Sequence, residues 1–191
     1  MAKDMFRDRE RAEEEAYFRQ VDAKLIAKLR QSAELSEIAH ALAEKLQVDE
    51  PGLLERIQKL GVTLDTGAAF ILAPLVEVAW VDGDVSHAER ETILHIAKQR
   101  GVAPGSADHR RLLEWLAHRP SDEVFRAALE AIRVGLSVLP PGEADQRIAA
   151  MIKACEDVAH SAGGITGLLQ LEGISYDESD VIAAIRRHLA K

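Results

Sequence analysis

From Ser32 onward the chain is cut into helix-sized pieces by glycine and proline. Nowhere does it alternate apolar and polar residues with period 2 for long enough to build a strand. That punctuation restricts the chain to an all-α fold. Residues 36–46 and 50–60 read as helices, the second with Pro51 in its first turn and Gly61 as its stop. Residues 66–80 form the most apolar stretch and are expected to be the central buried helix. After a break at Asp82-Gly83-Asp84, helices are expected over 87–100, 107–118 and 124–139. Gly101 and Pro104 stop the first of these, and Pro120-Ser121-Asp122-Glu123 opens the last. Pro140-Pro141-Gly142 reads as a hard turn, 143–162 as a helix ended by Gly163-Gly164, and 176–190 as the final helix.

Composition narrows the function classes. With 47% hydrophobic residues in 191, the chain has material for a core and is not globally disordered. Aromatics at 4% argue against a stacking platform for single strands, and a net charge of -8 argues against nucleic acid as a partner. The single cysteine, Cys155, excludes an internal disulfide and a cysteine-rich zinc site, and points to a reducing compartment. No apolar run reaches the roughly 18–20 residues of a membrane span. The longest, 68–81, is interrupted by Pro74 and Glu77 and reads as a core helix, so no membrane insertion is expected. The opening residues MAKDMFRDRE lack an apolar signal core, and Asp4 and Asp8 do not suit a mitochondrial transit peptide. The mature chain is therefore expected to be the written one, and cytoplasmic.

Residues 1–32 differ from the rest. They carry eight basic and seven acidic side chains with no Gly or Pro, whereas the remainder holds 16 basic and 25 acidic. Phe18, Val21, Leu25 and Leu29 make a narrow apolar stripe on an otherwise charged helix. Arg11–Glu15 and Glu15–Arg19 sit at i,i+4, where opposite charges stabilise a lone helix by about 0.2–0.5 kcal/mol each. Such a helix holds its shape while burying little, so a protruding N-terminal amphipathic helix is expected.

Within it, Arg9, Glu10, Ala12, Glu13, Glu14, Glu15, Tyr17, Phe18 and Arg19 stand in one gapless register. This run resembles the inhibitory segment of the mitochondrial ATP synthase inhibitor family. Ile26, Ala27 and Leu29 fall where that family keeps small and aliphatic residues. The resemblance implies a helix that inserts into the catalytic head of a rotary F-type ATP synthase and stops ATP hydrolysis without doing chemistry. The partner-binding residues it points to are Arg9, Glu10, Glu13, Glu14, Glu15, Tyr17, Phe18, Arg19, Val21, Leu25, Ile26 and Leu29. A groove-binding helix needs apolar anchors at such spacings, and aromatics give contact area at low entropic cost. The family's histidine-bearing coiled coil does not follow here. A proline-interrupted body replaces it, so coiled-coil dimerisation and histidine-driven pH control do not carry over. Homo-oligomerisation stays open. The alternative is that the same helix lies on the body and is purely structural.

In the body, Ala79, Asp82, Gly83, Val85, Ser86 and Glu89 stand in a helix–turn–helix signature. It is similar to that of tellurite-resistance TerB-like helical domains, which implies a compact multi-helix bundle over 66–191 and a stress-response module as the alternative function. Residues 33–65 then read as a helical linker or hairpin. The turn has the spacing of the second half of a calcium loop, but Val78 and Trp80 occupy the first two ligand positions and cannot ligate. What remains is a weak divalent-cation site on Asp82, Asp84 and Glu89, or a plain turn in which Gly83 bends the chain and Ser86 with Glu89 forms a capping box. No other cofactor is implied. Ser175 and Glu178 repeat that box, either as an internal duplication or as capping used twice.

Other constellations point less to chemistry. His87, Glu91 and His95 share a helical face, but from first to last they span about 12 Å, too far for one ion. Glu37-x-x-His40 has the form of a di-iron element, whereas its would-be partner at 157–160 begins with Asp. Cys155 is expected to be a buried small apolar residue. No phosphate loop, nucleophile elbow or nucleophile–base pair is found, so the chain is expected not to be an enzyme.

Overall fold

The computed structural model describes residues 51–137, 139–162 and 175–190, and every regular element among them is helical. The elements are α1 (Pro51–Lys59), a 3-10 turn (Leu64–Thr66), α2 (Gly67–Ile71), α3 (Ala73–Ala79), α4 (His87–Gln99), α5 (Ala107–Ala117), α6 (Asp122–Leu136), α7 (Pro141–Ala162) and α8 (Tyr176–Leu189). The expected helix over 36–46 and the protruding N-terminal helix lie outside the described residues. No helix among the described residues is long and apolar enough to cross a membrane.

The expected central helix over 66–80 is two helices. Pro74 has no N–H to give the Phe70 carbonyl, and its ring crowds that carbonyl, so a continuous helix is blocked. Leu72 takes the break with φ -90° and ψ -1°, and the chain passes through it on three-residue hydrogen bonds, Leu72 N to Ala69 O and Leu75 N to Leu72 O. Beyond the break, α3 is surrounded. It packs on α4, α6, α7 and α8, and Leu75, Val76, Val78 and Ala79 are at most 1% exposed.

Two helices end in the same way. At Gly61 (φ +75°) and Gly101 (φ +91°) the glycine N–H bonds three residues back, while the next residue, Val62 or Val102, bonds five back. This is the Schellman ending, which needs the left-handed conformation that glycine adopts without strain. Val62 and Val102 then turn into the core. Leu53, Ile57 and Val62 belong to the same apolar cluster as α3, so residues 51–65 pack with the body.

The Pro140-Pro141-Gly142 turn is displaced. Pro141 is the first residue of α7, where its fixed φ suits a helix and its missing N–H is no loss. The Pro140 carbonyl accepts from Glu143 and Ala144 N–H, and α6 has already ended at Leu136, three residues earlier than its apolar pattern suggests.

Helix α2 lacks its own cap, since Thr66 makes no capping bond. The Asp108 carboxylate, from the first turn of α5, accepts the Ala69 N–H at 2.8 Å instead. Burial raises the Asp108 pKa, and the Ala69 and Ala68 amides pull against that rise. Asp108→Ala is expected to cost about 0.5–2 kcal/mol, the usual value of a lost cap. Asp108→Asn, which keeps an acceptor and removes a buried charge, is expected to retain most of the stability. Urea unfolding of the full chain checks both, and an unchanged midpoint in Asp108→Ala would show that the carboxylate caps nothing.

Candidate functional site

The twelve residues assigned to partner binding, Arg9 to Leu29, lie outside the described residues. So do Glu37 and His40. The turn between α3 and α4 is described in full, and it is built by the ends of its two helices. The α3 helix stops at Ala79, and the chain reverses through a Gly83 N to Trp80 O bond of 3.1 Å, with Gly83 at φ +94°. A side chain at Gly83 would meet nothing within 4 Å, so glycine serves the backbone angle here rather than a close approach. Trp80 fastens one side of the turn by giving its indole N–H to Trp115 O at 2.8 Å. Arg90 fastens the other with a 3.0 Å bond to Leu116 O.

Ser86 opens α4 with a full capping box. Glu89 N–H donates to Ser86 Oγ at 3.2 Å, and Ser86 N–H donates to Glu89 Oε2 at 2.8 Å. The second box repeats this at the start of α8, with distances of 3.2 Å for Glu178 N to Ser175 Oγ and 2.7 Å for Ser175 N to Glu178 Oε2. Both glutamates are 4% exposed. A capping glutamate on an ordinary surface helix stays in water, so this burial is a shared peculiarity of the two turns. Desolvation raises the Glu89 pKa first. The bonds from Ser86 oppose it, and the negative charges of Glu178 and Asp82 add to it.

This arrangement separates the three residues considered for a cation. Asp82 and Asp84 are exposed on the turn, whereas Glu89 is buried and faces the Ser86 amide. Among the described residues no three His, Cys, Asp or Glu side chains converge as metal ligands. His87, Glu91 and His95 are exposed along α4, and His95 Nε2 lies 2.8 Å from Gln99 Nε2. Asp157 pairs with Lys153 at 2.9 Å, and His160 Nδ1 lies 2.7 Å from Glu156 O. Both residues face outward on α7, the wrong side for a bundle-centred di-metal site.

One acidic residue of the body has no role in the sequence reading beyond interrupting an apolar stretch. Glu77 is half-buried on α3, and its Oε2 has no hydrogen-bond partner among the described residues. Burial raises its pKa, Arg119 lowers it, and Asp122 raises it again. The only sign in the sequence is a lone acid between Val76 and Val78. Cys155 is fully buried on α7, and desolvation pushes its thiol up to about 12, with Arg100 opposing and Glu77 adding. A thiol so placed is neither a nucleophile nor a redox handle.

No family model, no curated protein and no solved structure matches the chain.

Two outcomes follow from these buried groups. Glu89 has a folded pKa above its ordinary value of 4.5, so the folded state holds its proton more tightly than the unfolded chain. The stability this contributes is complete below about pH 4.5 and is lost as pH rises through the folded value. Glu89→Gln keeps a capping oxygen and should flatten that part of the profile. The urea midpoint of the wild-type protein is expected to fall relative to that of Glu89→Gln as pH rises from about 4.5 to about 7.5, and parallel profiles would remove the effect. Cys155 is expected to stay unreactive toward an aromatic disulfide reagent in the native protein and to react at once in denaturant. Fast native labelling would contradict the burial.

Proposed function

We propose that the chain is a non-enzymatic regulator whose N-terminal segment enters the catalytic head of a rotary F-type ATP synthase as a helix and suppresses ATP hydrolysis. The observation that carries this reading is the gapless run from Arg9 through Ala12, Glu13, Glu14, Glu15, Tyr17 and Phe18 to Arg19. Acidic helices are common, but that order of residues is not. Tyr17 and Phe18, followed by Leu25 and Leu29, supply anchors at the spacing a helix-in-groove contact uses. Glu13, Glu14, Glu15 and Arg19 set register and orientation through charge, which governs specificity more than affinity. Inhibition then needs no reaction, because a helix wedged between subunits blocks the closing motion that each catalytic cycle requires.

The body fits a supporting part. Its described residues are helical around one continuous apolar core, a platform suited to tethering the inhibitory helix or stopping it from passing deeper into the head. A cation-binding stress module draws less support, because the deepest of its proposed ligands, Glu89, is already engaged in capping α4.

The test is hydrolysis by a purified F-type catalytic head in the presence of the full chain, a Tyr17→Ala/Phe18→Ala variant, and a chain lacking residues 1–32. The full chain is expected to inhibit. Losing anchors worth about 2 kcal/mol should raise the half-inhibitory concentration roughly 30-fold. The truncated chain should leave turnover unchanged. Inhibition by the truncated chain equal to that of the full chain would overturn the proposal.

A further inference from the structure

We draw no further inference here: the strongest candidate, the pair of buried capping carboxylates Glu89 and Glu178 at the turns that open α4 and α8, is an acidic cluster in which each residue already accepts the amide of its own serine, and nothing else in the structure points to a ligand there.

Discussion

A seven-residue helix with almost no face left for water is the constraint on which the other elements depend. Ala73–Ala79 meets four later helices at once, and apart from Glu77 its side chains are small or branched and let those neighbours come close. Each methylene buried there contributes about 0.8 kcal/mol, and the surrounding helices gain the same area in return. The helix is this short because Pro74 forbids a continuous run from Gly67. Had the apolar stretch stayed unbroken, α2 and α3 would lie on one line, and α2 could not turn aside to meet α5.

Alongside its local serine caps, this protein has helix ends that are satisfied by distant side chains. Asp108 serves α2, Trp80 and Arg90 take the last carbonyls of α5, and Arg111 reaches the Gly61 carbonyl beyond α1 at 3.3 Å. Such bonds contribute about 0.5–1.5 kcal/mol each, but they join elements far apart in the chain. They therefore act as fasteners between helices as much as caps, and they fix how the short connections run.

Much of this was legible in the sequence, and the physical reasons are plain where it was not. Helix class, the stops at Gly61 and Gly101, and the capping boxes at Ser86 and Ser175 were readable because each depends on residues within one turn of chain. The split at Leu72 is masked in the sequence by apolar continuity, although the missing N–H of Pro74 dictates it. Pro141 reads as a turn residue because a proline pair is a breaker, yet the first helical position tolerates it. Glu89 and Glu178 could be named as capping residues but not as buried ones, since burial is decided by what packs over them. The Glu77 oxygen, without a partner among the described residues, and the cap given by Asp108 likewise depend on packing between distant parts of the chain.

That borrowed cap has a consequence for synthesis. Asp108 follows Ala69 by 39 positions, so at about 5–20 residues per second it emerges from the ribosome roughly 2–8 s later. A five-residue helix cannot nucleate by itself in water. Through that interval Phe70 and Leu72, both destined for the interior, belong to a nascent segment with no structure of its own, open to association with other emerging chains.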